Sequence, residues 1–210
     1  MSGIPERTDD ARDAAAAAAA PVGGGGAARS GRPVLGGPVL AGPVLAGPVV
    51  TLRQAVASDV SALAAIRATP EVRARWRGAA DLAAEVAEAI DELGDRYLAI
   101  ELDGRLVGAI QWAAEEDPEY RHASMDIFLD PLVHGRGVGE DAVRALAVHL
   151  VDDHGFHRLV IDPAADNAAA IRCYEKVGFK PVGIMRQYER DENGWHDGLL
   201  MDLLAAELVR

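Results

Sequence analysis

Two stretches decide the fold. The first is Val133-His134-Gly135-Arg136-Gly137-Val138-Gly139, and the second is Asp166-Asn167-Ala168-Ala169-Ala170-Ile171-Arg172-Cys173-Tyr174-Glu175-Lys176-Val177-Gly178-Phe179. The first follows an apolar strand, Ala123–Leu129, and opens a long helix, Gly137–Asp153, with Ala142, Val143, Leu146, Ala147 and Leu150 on its inward face. Glycines at a helix mouth let the backbone come close to a ligand. The first turn adds unpaired N–H groups and the positive end of the helix dipole, which together cradle a phosphate. The spacing is not G-x-G-x-x-G, and no Gly-Lys-Ser/Thr follows to make a P-loop. A tight turn without a ligand is the plainer alternative. The second stretch reads as a helix opened by Asn167, stopped by a left-handed Gly178, with Phe179 entering the next strand.

The rest of the chain falls into place around this pair. Val49–Gln54 reads as a strand, Ser58-Asp59 caps a helix through Arg67, and Pro70 opens a short helix containing Val72 and Trp76. Asp81–Leu93 is a third helix, with Leu82, Val86, Ala89, Ile90 and Leu93 on one face. Tyr97–Leu102, Asp103-Gly104 and Arg105–Ala114 make a hairpin around a strong turn dipeptide. Arg158–Asp162, Lys180–Glu189 and Trp195–Leu203 are further strands. The strand–helix–strand unit in the middle requires a parallel pair there.

Residues 1–47 look different. They hold a polyalanine run at Ala14–Ala20, a polyglycine run at Gly23–Gly26, and prolines at 33, 38, 43 and 48 in a Gly-Pro-Val-Leu-Ala repeat that runs on to Pro48. Proline removes donors and glycine raises the entropy of ordering, so a disordered low-complexity tail is expected over 1–47, with a single domain over 48–210. The chain of 210 residues carries a net charge of −12. In the tail four arginines balance four acidic residues, so the whole excess belongs to the domain. That argues against nucleic acid and favours a cationic partner, although solubility alone explains such a charge equally well. No apolar run is long enough to span a bilayer, acidic residues precede the alanines where a signal peptide needs positive charge, and a single cysteine fits a reducing compartment. A cytoplasmic protein without membrane association is expected. The six histidines show no ligand-spaced cluster, so no metal is expected.

The ordered pair of motifs resembles the acyl-CoA site of the GNAT superfamily of N-acyltransferases: a pyrophosphate loop, then an N-x-x-A-x-x-x-Y-x-x-x-G-F helix. The resemblance implies a GNAT fold of the α/β (α+β) class, a mixed and mostly antiparallel sheet with a central splayed parallel strand pair, flanked by helices. It implies acetyl-CoA as co-substrate, direct transfer to an amine in a ternary complex, and a monomer or homodimer. Donor contacts are expected from Ile127 and Leu129 of the strand, from the loop His134, Gly135, Arg136, Gly137, Val138 and Gly139, and from Asn167, Ala170 and Tyr174 of the helix. His134 departs from the usual glutamine or arginine at its position, which leaves the backbone cradle intact. The resemblance gives the Tyr174 hydroxyl the task of protonating the departing thiolate; a core tyrosine is the alternative. Cys173 is not expected as a nucleophile, since no histidine–carboxylate arrangement surrounds it.

The amine must lose a proton, so a carboxylate or water chain belongs near the acetyl group. Asp126, inside the apolar Met125–Leu129, is the best candidate, because a carboxylate there is costly unless paired or used. Asp162 ends the next parallel strand and is the second; a salt bridge or cap is the alternative for each. Within the superfamily the resemblance is nearest to aminoglycoside 6'-N-acetyltransferases, through Trp112-Ala113-Ala114-Glu115-Glu116-Asp117-Pro118, Ser124-Met125-Asp126, and Asp162-Pro163 with the following helix. It implies acceptor contacts from Trp112, Glu115, Glu116, Asp117, Asp126 and Asp162, and a cationic small-molecule amine; a solvated turn is the alternative for the acidic run, and a core position for Trp112. Acetylation of a protein N-terminus or another small amine, and a non-catalytic acyl-CoA-binding module, are the other readings.

Overall fold

The computed structural model describes residues 44–210. In chain order the elements are β1 (Leu45–Ala46), β2 (Thr51–Gln54), α1 (Val60–Arg67), α2 (Pro70–Arg73), α3 (Leu82–Leu93), β3 (Tyr97–Leu102), β4 (Arg105–Glu115), β5 (His122–Leu129), α4 (Val138–Asp152), β6 (Arg158–Ile161), α5 (Ala168–Val177), β7 (Lys180–Asp191) and β8 (Gly194–Leu204). The strands form one sheet in the order β1-β2-β3-β4-β5-β6-β8-β7. Every described pairing is antiparallel except β5–β6. This is the mixed sheet flanked by helices that the resemblance implies.

Three local expectations need correction. The helix opened by Pro70 stops at Arg73, short of Trp76. Asp59 flanks α1 but does not cap it: its carboxylate binds Arg53 at 2.7 and 2.9 Å and the Val56 N–H at 2.9 Å. The boundary at 47 is late, because Leu45 and Ala46 pair with Leu52 and Thr51 as an edge strand. The last proline of the repeat makes this possible: Pro48 sits in a turn closed by Gly47 N–H to Val50 O at 2.8 Å, and β1 folds back on β2. The remainder of the expected tail, 1–43, lies outside the described residues.

Strand alternation gives the sheet two faces. On one face Ala99, Ala109 and Phe128 pack with Leu63, Ile66, Val72 and Val86 of α1, α2 and α3. On the other, Ala123, Met125, Leu159 and Ile161 pack with Ala142, Val143, Leu146 and Leu150 of α4 and with Tyr174 and Val177 of α5. Asp103 and Gly104 both take positive φ, 52° and 73°, in the β3–β4 turn, as the Asp-Gly dipeptide predicts. No helix among the described residues is long and apolar enough to cross a membrane.

Candidate active site

The parallel pairing of β5 and β6 is short. It joins Ala123 to Leu159 and Ser124 to Val160, and then ends. Beyond it β5 continues to Leu129 beside β4 alone, while β6 turns to β8. The sheet therefore opens in its middle, and the β5 edge from Met125 onward has backbone groups that no strand satisfies among the described residues. Such an edge accepts an extended, amide-bearing ligand. Ile127 and Leu129, the two residues expected to contact the donor, lie on this stretch of β5, both half-buried.

Register then fixes the chemistry. Ser124 and Val160 are partners on one face, and two residues further along each strand stand Asp126 and Asp162. A period of two puts both carboxylates on that same face, opposite each other across the split. Asp126 has one side-chain partner of note, the Gln111 amide, whose Nε2 lies 3.4 Å from Oδ2. Burial, helped by the nearby charge of Asp162, pushes the Asp126 carboxyl up to about 6. Burial also raises Asp162, while the Tyr188 hydroxyl beside it favours its ionised form. Tyr188 itself is pushed up by burial and by Asp162.

Tyr188 and Gln111 were not legible as site residues. Tyr188 depends on an irregularity in β7, where the register to β8 shifts between Met185 and Glu189. Gln187 takes φ 52° there and donates its N–H to Asp197 at 2.8 Å. The opposite residue is Gly198, and an added Cβ would lie 2.9 Å from the Tyr188 ring. The missing side chain makes room for Tyr188. Gln111 did leave a signal: it is 6% exposed and the one polar residue in the apolar run Val107–Trp112.

The glycine loop leads into α4 as expected. Gly135 and Gly137 have φ of 72° and 80°, and open space surrounds both. Gly139 serves a different purpose: its Cα side faces Leu129 Cδ1 and Cys173 Sγ, at 3.3 and 3.4 Å from an added Cβ, so it lets α4 approach α5. No side chain caps α4, and its first intrahelical bond is Asp141 N–H to Gly137 O. The N–H groups of Val138, Gly139 and Glu140 thus have no partner within the helix. The two acids of that turn are engaged elsewhere, Glu140 with Arg144 at 3.0 Å and Asp141 with Val49 and Val50 N–H. The cradle fits an anionic pyrophosphate. Val138 contributes backbone only, since its side chain is core. His134 and Arg136 are exposed, and the His134 ring lies 3.3 Å from the Leu129 carbonyl.

On α5, the Asn167 side chain accepts from Ala170 N–H at 3.2 Å, so its capping role is real. Tyr174 is 7% exposed, packs in the core on the α4–α5 face of the sheet, and lies within the fields of Asp126 and Asp162. Burial raises its hydroxyl pKa, so the hydroxyl stays protonated at neutral pH. Burial pushes the Cys173 thiol up to about 11, the opposite of an activated nucleophile.

The expected acceptor residues divide. Asp126 and Asp162 come together; Trp112 and the acidic stretch do not join them. Trp112 pairs with Met125, on the face opposite Asp126, and packs edge-on against His154 and Phe156 as core. Glu115 pairs with His122, four positions along β5 from Asp126 and at the end away from the opening, about 13 Å along the strand. Glu115 and Asp117 accept N–H bonds from Asp117 and Glu119, and Glu116 faces Arg121 at 3.5 Å. This is a solvated turn.

A sheet that opens at its one described parallel pair, with a glycine loop at the start of the following helix, is the arrangement expected of an acyl-CoA-dependent transferase. Comparison with known proteins agrees: the Acetyltransferase (GNAT) domain family matches residues 50–180, and the chain belongs to that family of N-acetyltransferases. GNAT acetyltransferases use acetyl-CoA. An aminoglycoside N(6')-acetyltransferase type 1 of Klebsiella pneumoniae is 38% identical over 72 residues, 34% of this chain and 35% of that protein. The [ribosomal protein bS18]-alanine N-acetyltransferase of Escherichia coli (strain K12) is 33% identical over 116 residues, 52% of this chain and 73% of that protein. The chain spans only 30% of a mycothiol acetyltransferase of Corynebacterium glutamicum, to which it is 31% identical over 88 residues, 42% of its own length. Among solved structures, AAC(6')-Ib in complex with paromomycin and acetyl-CoA superposes with a TM-score of 0.63 at 26% identity, covering 77% of this chain and 98% of that one.

Proposed function

We propose that this acetyltransferase moves the acetyl group of acetyl-CoA to a primary amine of a cationic small molecule, and that the 6'-amine of an aminoglycoside is the acceptor. The observation that carries this reading is the pair of withdrawn carboxylates, Asp126 and Asp162, on one side of the open split. A net charge of −12 supports it by drawing in cations.

The pantetheine arm lies along the free edge of β5, and the pyrophosphate rests on the N–H groups that follow Gly135 and Gly137. Asp162, whose ionised form the Tyr188 hydroxyl favours against the opposing effect of burial, holds the incoming ammonium. Asp126 takes the ammonium proton, directly or through water; its pKa of about 6 suits a base that is mostly free at neutral pH. The nitrogen lone pair then attacks the thioester carbonyl carbon. As the tetrahedral adduct collapses, the C–S bond breaks, Tyr174 gives its proton to the leaving sulfur, and nitrogen sheds its second proton to solvent as it becomes the amide, solvent returning a proton to the Tyr174 oxygen. Base and acid work from opposite faces of the sheet, so one proton leaves nitrogen while another reaches sulfur. Holding the reactants in one cleft contributes as much as the proton transfers.

A second reading, acetylation of a protein N-terminus, is favoured by the bS18-alanine acetyltransferase, of which the chain covers 73%. The test is release of CoA thiol from acetyl-CoA with tobramycin or kanamycin, beside peptides with free N-termini. Turnover on the aminoglycosides that disappears when the 6'-amine is replaced by hydroxyl is the expected result. Turnover on peptides alone would move the acceptor to protein and leave Asp126 and Tyr174 in their roles.

A further inference from the structure

The pairing that carries Asp162 runs on past the end of β6. Ile161 pairs with Met201 of β8, and Ala164 bridges Gly198 in the same register. Two bonds flank that bridge, Leu199 N–H to Pro163 O and Ala165 N–H to Asp197 O, both at 2.9 Å. Alternation then carries Asp162, Ala164 and Gly198 to one face of the sheet.

On its other side β8 meets β7, which pairs Met185 with Gly198 and Glu189 with His196. Between those pairs Arg186, Gln187 and Tyr188 oppose Asp197 alone. Met185 and Glu189 stand on the Gly198 face, so plain alternation would send Tyr188 to the opposite one. Its ring is nevertheless on the Gly198 face. A Cβ added to Gly198 would lie 2.9 Å from that ring and 3.0 Å from the Met185 methyl. The backbone turns at Gln187, whose φ of 52° is a strained angle for a residue with a side chain. Asp103 has the same φ, but in an Asp-Gly turn, where such an angle is ordinary. Gln187 lies within a strand. Its N–H donates to Asp197 Oδ1 at 2.8 Å, a charge-assisted bond that holds the turn. The ring so delivered shares the face of Asp162, and its hydroxyl favours the ionised carboxylate there.

We propose that Asp197 is a positioning residue for the acceptor site: through the turn at Gln187 it keeps the Tyr188 hydroxyl on Asp162. Gly198 completes the device by leaving the ring its space. Without the Asp197 carboxylate the turn relaxes toward ordinary strand angles and the hydroxyl leaves Asp162. The consequence for turnover rests on the reading of Asp162 as the group that holds the ammonium; the positioning itself does not.

Carbon-13 NMR of aspartate-labelled protein, with Asp162→Asn to assign the resonance, reads the Asp162 titration without any acceptor. In Asp197→Ala the carboxyl titrates about one pH unit higher than in wild type, as it does in Tyr188→Phe. With tobramycin as acceptor, KM rises about fivefold and kcat holds. Asp197→Asn keeps an acceptor oxygen and leaves the titration in place, and in a Tyr188→Phe background Asp197→Ala adds nothing. The sign is diagnostic, because loss of a negative charge alone would move Asp162 down. Asp197 is exposed, so its variants fold, and unchanged acetyl-CoA affinity checks each one. A titration that stays put or falls in Asp197→Ala overturns the proposal. So does an equal rise in the Tyr188→Phe background, or an Asp197→Asn that behaves like Asp197→Ala. If the titration rises as expected and the tobramycin KM does not, the positioning stands and the role read for Asp162 fails. If Asp162→Asn raises KM but Asp197→Ala leaves the titration alone, the positioning fails and that role stands.

Discussion

Asp141 and Asp126 are both withdrawn carboxylates, one at the start of α4 and one in β5, and their surroundings are opposite. Asp141 is 7% exposed, and its Oδ2 accepts the Val49 and Val50 N–H groups, each at 2.8 Å. It ties the first strands to the helix that carries the glycine loop, and nothing about it is left over for chemistry. Asp126 has a neutral amide at 3.4 Å and the like charge of Asp162 nearby, and its carboxyl rises to about 6. A buried acid supplied with donors is a fastener, whereas one denied them stores free energy that proton transfer releases.

The sharpest break of this comparison is in catalysis. Asp126→Asn lowers kcat/KM by about 10²–10⁴-fold with CoA affinity unchanged, as expected for loss of a general base. Steady-state CoA release measures it, and a loss under fivefold would make Asp126 another fastener. Tyr174→Phe comes next, at about 10²-fold in kcat with little change in acceptor KM, because the hydroxyl acts on the departing sulfur. Asp141→Ala moves the other quantity. It strands the buried Val50 N–H and costs about 2 kcal/mol of stability in denaturant unfolding, while activity per folded molecule stays near wild type.

An effect of similar size is a pH dependence of stability. A carboxyl raised in the folded state stabilises fully below its unfolded value near 3.9, and that contribution is lost as pH rises through about 6. The wild type therefore gives up about 2–3 kcal/mol across that interval that Asp126→Asn keeps. Urea unfolding at pH 4.5 and 8 compares the two, and equal slopes would mean that Asp126 is not perturbed.

The features legible in the sequence are those fixed by local rules. Helix period, the Asp103-Gly104 turn, the glycine loop and the Asn167 and Gly178 helix ends depend on neighbours in the chain, and all stand where expected. The Asp126–Asp162 pair was also within reach, because alternation in two adjacent parallel strands carries both to one face. For Trp112 acceptor wall and core both stay open without the register: its partner Met125 puts it on the face that α4 covers. Glu115, Glu116 and Asp117 were judged by charge, but their distance from the split is set by which end of β5 opens. Tyr188 required a bulge in β7 opposite Gly198. Long-range contacts of this kind leave no periodic trace.

The most direct measurement is kcat/KM for the acceptor as a function of pH from 5 to 8, in wild type and Asp126→Asn. The account predicts a rising limb with an apparent pKa near 6 in the wild type and its disappearance in the variant. The same limb in both proteins, or no limb in either, would contradict Asp126 as the base.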